Sequence, residues 1–88
     1  MTGRDHMARI AAMRCIHCEL SGQEQQGRAY VHHIREGQGM AQRASDYLTV
    51  PLCYEHHQGT NGVHGTRAYL RISKLSELDL LAETIARL

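Results

Sequence analysis

The sequence predicts a small α+β domain that is stabilised by a structural zinc ion. Two strand-like segments precede a short helix, and an amphipathic helix follows near the end of the chain. The three cysteines fall into two clusters whose spacing is typical of a zinc site. The 88 residues include no Trp and no Phe. A metal ion would therefore add stability that so small a core supplies poorly.

The cysteine clusters predict a tetrahedral zinc site. Cys15 and Cys18 form a Cys-x2-Cys pair, and Cys53 and His56 form a Cys-x2-His pair. Zinc binds thiolate and imidazole ligands in such sets. This assignment uses all three cysteines, which could not all pair as disulfides within one chain, and it favours a reducing compartment. The alternative is that the thiols are free and bind no metal.

Local patterns place most of the other elements. Residues 28–34 and 47–52 are rich in β-branched and aromatic side chains and predict two strands, with Pro51 at an edge or exit position. A short helix is expected to begin at Glu55. Residues 66–72 are expected to form a further helix. The two strands followed by a helix give the expected order of the central elements.

The C-terminal helix has the clearest signals. Ser76 and Asp79 have the spacing of a capping box, which marks a helix start. Apolar residues then repeat at helical intervals and predict one buried stripe. The stripe comprises Leu75, Leu78, Leu81, Ile85 and Leu88.

The N-terminal residues give weaker signals. We expect residues 1–12 to be an N-terminal tail or a cloning remnant and residues 13–88 to form the folded domain. His6 is accordingly given no role, and neither is His17, which lies between the first two cysteines and could be a surface residue. The net charge is +1 with neutral histidines, so the composition alone does not indicate nucleic-acid binding. No apolar run reaches the ~20 residues of a membrane span.

A second histidine set remains after the zinc ligands are assigned: His32, His33, His57 and His64. Adjacent residues of a strand face opposite sides, so His32 and His33 cannot share one role. His57 follows His56 at a helix start, and a rotation of about 100° per residue turns it away from the zinc. We expect it to face the strand that carries His32, with a second metal between them. Alternatively, His32 or His64 donates a hydrogen bond within the core.

A His-His strand, a second strand and a Leu-Cys-x2-His-His entry into a short helix resemble the ββα-metal (His-Me) finger of HNH endonucleases. Within that superfamily, residues 13–88 are most similar to the phage recombination-enhancement (Ref-type) nucleases. The resemblance implies a zinc-stabilised ββα-metal domain with a C-terminal amphipathic helix. It also implies metal-dependent hydrolysis of phosphodiester bonds in DNA, a phage or prophage origin and a link to recombination.

The resemblance also assigns individual roles. His32 and His57 would ligate the catalytic metal, and His33 would be the general base that deprotonates the attacking water. A third ligand would follow His57 by four residues, where this chain has Asn61, and we prefer His64 for that role.

This chain departs from the HNH pattern before its second strand. The asparagine of the HNH name is missing there, and Asp46 or Tyr47 would orient His33 instead.

The expected cofactors are a structural Zn2+ and one catalytic divalent metal. Imidazole ligands suit Zn, Mn or Ni better than Mg.

The expected substrate is DNA. Arg35 and Arg43 could clamp its phosphates, although ordinary solubility explains both residues equally well. The resemblance also implies that a recombinase filament or another partner presents the DNA, because relatives can carry a basic extension that is not seen here. The protein is expected to act in the cytoplasm. No membrane partner is expected.

The competing interpretation is a non-catalytic zinc module that binds nucleic acid or a protein. It keeps the zinc site and treats the second histidine set as surface or packing residues. The number of metal ions bound per chain separates the two interpretations.

Overall fold

The computed structural model describes residues 2–39, 42, 44–57 and 76–88. These residues form four α-helices and two β-strands, which confirms the α+β class. In chain order the elements are α1 (Gly3–Ala11), α2 (Ile16–Ser21), β1 (Ala29–His33), β2 (Thr49–Cys53), α3 (Tyr54–His57) and α4 (Glu77–Ala86). The helix predicted over residues 66–72 lies outside the described residues.

The two strands form an antiparallel pair in which His32 lies opposite Val50 and His33 lies opposite Thr49. Both strand predictions are confirmed, with ends displaced by a residue or two. Pro51 lies opposite Val31 within the pair. Its missing N–H is tolerated because each strand of a two-stranded sheet has one edge outside the ladder.

The second strand continues without a loop into α3, since Cys53 ends the strand and Tyr54 begins the helix. The short helix predicted near Glu55 is therefore confirmed. This direct connection places Cys53 and His56 one helical turn apart on rigid backbone. It also brings α3 into contact with β1.

The hydrophobic core lies between the sheet, α2 and α4. Its fully buried side chains include Ile16, Val50, Leu52 and Leu80, and the three cysteines belong to the same cluster. Because the cysteines are part of the core, a metal bound by them would stiffen the packing of all three elements.

The N-terminal segment contains a capped helix. Thr2 accepts a hydrogen bond from the backbone N–H of Asp5, and the Asp5 carboxylate accepts one from the N–H of Thr2. His6 and Ile10 lie one turn apart and are buried, and α1 contacts both strands. The segment predicted as a tail thus includes a helix that packs on the sheet. The domain boundary at residue 12 stays a prediction.

The C-terminal helix begins as predicted, with Ser76 and Asp79 forming a capping box. The predicted buried stripe is wrong in part, however. Leu81 is buried as predicted, but Leu78 and Ile85 are 51% and 55% exposed, and Leu75 lies outside the described residues. The buried face instead comprises Leu80, Leu81 and Thr84.

Two contacts explain this orientation of α4. The side chain of Glu77, the first residue of α4, accepts hydrogen bonds from the backbone N–H groups of Arg35 and Glu36 just after β1, which fixes the rotation of the helix about its axis. Thr84 can be buried because its hydroxyl donates to the carbonyl of Leu80.

Among the described residues, no helix has the length and apolar character needed to cross a bilayer.

Leu80→Ala is expected to lower the free energy of unfolding by about 2–5 kcal/mol, because it removes a fully buried side chain from the core. Leu78→Ala on the exposed face of the same helix should change it by less than ~0.5 kcal/mol. Urea unfolding of the zinc-loaded protein measures both values. Equal losses in the two variants would contradict the observed orientation of α4.

Candidate functional site

Four potential metal ligands converge from three elements. Cys15 precedes α2 and Cys18 lies within it, Cys53 ends β2, and His56 lies in α3. All four residues are buried, and their donor atoms lie within 4.8 Å of one another. We call this group the Cys3His cluster. It contains the four residues that the sequence predicts as zinc ligands.

The distances within the Cys3His cluster match those around a tetrahedral ion. Nδ1 of His56 lies 3.3 Å from Sγ of Cys53, 3.4 Å from Sγ of Cys18 and 3.6 Å from Sγ of Cys15. Sγ of Cys18 lies 3.7 Å from Sγ of Cys53, far longer than a disulfide bond of about 2.05 Å. Ligands of a tetrahedral zinc ion lie roughly 3.5–3.8 Å apart. The cluster could therefore hold a structural metal ion such as zinc.

Short-range contacts shape the first cysteine pair. Cys15 caps α2, and its Sγ accepts a hydrogen bond from the backbone N–H of Cys18 at 3.4 Å. The backbone N–H of Cys15 donates to Oε1 of Gln25 at 2.6 Å. The helix ends at Gly22, whose φ of 71° is unfavourable for side chains with a Cβ. The tight turn around the two thiols is thus set by local hydrogen bonds.

Burial raises the pKa of the Cys15 thiol, and burial together with the neighbouring thiols raises that of Cys18. Without a metal, both groups are therefore protonated at neutral pH. Zinc binds the thiolate form, so its binding must displace these protons.

The sequence allowed a surface position for His17, but the structure buries this residue. Its side chain is 2% exposed, and its ring stacks on that of His56 with centroids 4.2 Å apart. The reason is that the Cys15–Cys18 turn continues as α2, so the residue between the two cysteines faces α3 rather than water. Burial, with a smaller contribution from His56, lowers the pKa of His17 to about 4. A neutral His17 ring thus supports His56 by packing.

His32 and His57 are brought together across the junction of β1 and α3. His32 is 3% exposed, and the two rings meet edge to face with centroids 5.1 Å apart. His57 also lies alongside the ring of Tyr30, at 6.4 Å. The expected direction of His57, away from the Cys3His cluster and towards β1, is therefore observed.

A carboxylate that the sequence interpretation missed lies beside His32. Oε2 of Glu77 is 2.5 Å from Nε2 of His32. Its Oε1 accepts hydrogen bonds from the backbone N–H groups of Arg35 and Glu36, each at 2.9 Å. Burial alone would raise the pKa of Glu77, but these hydrogen bonds outweigh it and lower the pKa. Glu77 is thus ionised at neutral pH.

Sequence patterns do not predict the contact between Glu77 and His32. Acidic residues are common in the first turn of a helix because they complement the helix dipole. Glu77 could therefore not be distinguished from an ordinary first-turn residue.

His33 faces the opposite side of β1 and is bound by a different acid. Its Nε2 lies 2.9 Å from Oδ1 of Asp46. Of the two residues considered for orienting His33, Asp46 makes this contact, whereas the Tyr47 ring lies 5.0 Å from that of His6. Gly3 of α1 approaches Asp46 so closely that a Cβ on Gly3 would lie 2.8 Å from the Asp46 Cβ. The start of α1 therefore confines the Asp46 side chain.

Of the remaining predicted site residues, Arg35 is the one that the structure describes. Arg35 is exposed, and its guanidinium donates to the backbone carbonyl of Gln42 at 3.0 Å. His64, Asn61 and Arg43 lie outside the described residues. Within the described ranges, the Cys3His cluster is the one group of three or more metal-binding side chains with converging donors.

His56→Ala is expected to remove the bound zinc and to unfold the domain, because it takes one ligand from the Cys3His cluster. The neighbouring His57→Ala should keep about one zinc per chain and its melting temperature, since His57 faces β1. Metal analysis by mass spectrometry and thermal melting of both variants test this difference. Fewer than about one zinc per chain in both variants, or in neither, would contradict the assignment of His56 alone to the Cys3His cluster.

Zinc binding to the metal-free protein is expected to release protons at about pH 7, because cysteine thiols are protonated there and zinc binds the thiolate form. In the folded domain, burial raises the pKa of the Cys15 and Cys18 thiols further, so only a bound cation would keep them ionised. Zinc affinity should accordingly fall as the pH decreases. Titration calorimetry in buffers of different ionisation enthalpy counts the protons. A binding enthalpy that is independent of the buffer would disprove this expectation.

Comparison with known proteins gives a match to a protein family. A family model described as "Recombination enhancement, RecA-dependent nuclease" matches residues 2–78. No curated protein and no solved structure matches the chain. The matched residues include α1, the Cys3His cluster and both strands, and they extend to Leu78 of α4. The chain therefore belongs to the family of recombination-enhancing, RecA-dependent nucleases.

Proposed function

We propose that this chain is a metal-dependent endonuclease of the HNH type that hydrolyses phosphodiester bonds in DNA. Membership of the nuclease family supports the reaction class and the link to recombination. The observation that carries the mechanism is the position of two adjacent histidines on one strand. His32 meets His57 on one side of β1, and His33 meets Asp46 on the other.

The order of elements supports the HNH assignment. An antiparallel strand pair runs directly into a short helix, with one histidine of interest on the first strand and one on the helix. This order supports the proposal of the ββα arrangement that the resemblance implies. The Cys3His cluster lies where the second strand runs into this helix, and it includes His56. His57 is not part of that cluster, so it can have a separate role.

His32 and His57 would hold the catalytic divalent ion, with His64 as the proposed third ligand. The two described imidazoles are close enough to share an ion, and such donors suit Zn, Mn or Ni. When bound, the ion would neutralise charge that develops on the scissile phosphate.

His33 would act as the general base. The Asp46 carboxylate accepts a hydrogen bond from Nε2 of His33. The ring proton is therefore on Nε2, and the lone pair of the neutral ring is on Nδ1. Nδ1 would take a proton from water as the water oxygen attacks phosphorus. The 3′-oxygen would then leave, giving 5′-phosphate and 3′-hydroxyl ends. Asp46 would steady the imidazolium that forms.

DNA contacts would come from arginines near the strand pair. Arg35 is exposed and donates to a backbone carbonyl, a bond that a phosphate oxygen could replace. Arg43 is proposed for the same role. Since the family is described as RecA-dependent, we propose that a recombinase filament presents the DNA to this site.

His33→Ala is expected to abolish plasmid nicking while zinc content and melting temperature stay unchanged, because His33 lies outside the Cys3His cluster. Val31→Ala is the matched control. It truncates a side chain on the same face of β1 without removing an imidazole. Nicking would be assayed with and without a RecA filament, across a series of divalent ions. Metal-dependent nicking by His33→Ala would refute the assignment of the base.

Metal stoichiometry distinguishes the nuclease from the non-catalytic zinc module. The nuclease should bind about two ions per chain, one in the Cys3His cluster and one near His32. A chain that binds only one ion and nicks no DNA would favour the module.

A further inference from the structure

The carboxylate of Glu77 joins the start of α4 to the end of β1. We propose that Glu77 is a positioning residue of the metal site. It fixes the tautomer and the orientation of His32, so that Nδ1 is the nitrogen presented to the ion. This inference rests on the proposed function, because it concerns the same metal site.

Both oxygens of Glu77 are engaged. Oε1 accepts from the N–H groups of Arg35 and Glu36, and Oε2 lies 2.5 Å from Nε2 of His32. The His32 side chain is 3% exposed and that of Glu77 is 12% exposed, so little water competes for these contacts. The carboxylate is therefore held in place on one side by backbone groups and on the other by the imidazole.

This arrangement determines the tautomer of His32. An ionised carboxylate can only accept hydrogen bonds, so the nitrogen that faces it must carry a proton. A neutral imidazole has one N–H, and its lone pair then resides on Nδ1. Carboxylates commonly orient metal-bound histidines in this way. Glu77 itself is a poor candidate for a direct ligand, because binding an ion would break its existing contacts.

Glu77 also anchors α4, and the two roles use different atoms. The anchor depends on Oε1, whereas the orientation of His32 depends on Oε2. Glu77→Gln separates them. Its amide oxygen can still accept from the two backbone N–H groups, while its NH2 group replaces Oε2. That NH2 group donates instead of accepting, so it favours a His32 ring that is unprotonated at Nε2 and protonated at Nδ1.

The first measurement needs no variant. Long-range 15N–1H NMR of the zinc-loaded wild-type chain, without a second ion, should show His32 protonated at Nε2. In Glu77→Gln, the His32 signals should report protonation at Nδ1. Affinity for Mn2+ or Co2+ at the second site should fall by about 10–100-fold, the usual effect of losing such an orienting group. Zinc content and melting temperature should change little.

Glu83→Gln is the matched control, since it makes the same change on the same helix. Glu83 is exposed and pairs with Arg87. It should leave the His32 tautomer and the affinity for the second ion unchanged.

Three results would overturn the inference. They are wild-type His32 protonated at Nδ1, no uptake of a second ion by the wild type, and full affinity for the second ion in Glu77→Gln. Failure of the nuclease proposal can be distinguished from failure of this inference about Glu77. A wild type that binds the second ion with the expected tautomer but nicks no DNA would refute the activity and leave the role of Glu77 intact.

Discussion

The Cys3His cluster is the constraint on which the other contacts of the structure depend. It draws together the start of α2, the end of β2 and α3, whose ligands are separated by up to 41 residues along the chain. The core around it contains no Trp or Phe, and its largest side chains are aliphatic. An ion there closes a long loop, and structural zinc in small domains contributes about 10–16 kcal/mol of binding free energy. That contribution is comparable with the whole stability of many domains.

Because the cluster fixes His56, it also fixes the direction of His57. Successive helical residues differ by about 100° in direction, so the side chain after a zinc ligand turns away from the zinc. In this molecule it turns towards β1, where His32 lies. A helix as short as Tyr54–His57 can therefore serve both sites. An ion held by the Cys3His cluster would take only the His56 imidazole, which would leave the His57 ring for the proposed second site.

The sequence predicts best those features that depend on local spacing. The two cysteine pairs, the alternation of His32 and His33, and the capping box of α4 all follow from residues a few positions apart. The rotation of α4 is not local, because it depends on the backbone groups that Glu77 finds at the end of β1. Apolar spacing alone therefore selected the wrong face.

The two histidines of β1 illustrate the same limit. Their acids come from distant positions, since Glu77 follows His32 by 45 residues and Asp46 follows His33 by 13. Asp46 could be considered from the sequence because it stands where the resemblance calls for an orienting residue. The resemblance did not indicate an orienting residue at the position of Glu77. The burial of His17 was also hidden, because it depends on how α2 packs against α3.

Each of these two acids either contacts or belongs to a helix outside the strand pair. Asp46 is confined by Gly3 at the start of α1, and Glu77 is the first residue of α4. The ends of two helices thus set the positions of two imidazoles that face opposite sides of one strand. A shift of α1 would displace the acid that contacts His33, and a shift of α4 would displace the acid that contacts His32. The proposed cooperation of His32 and His33 would therefore require α1, α4 and the Cys3His cluster to hold the same strand pair at once.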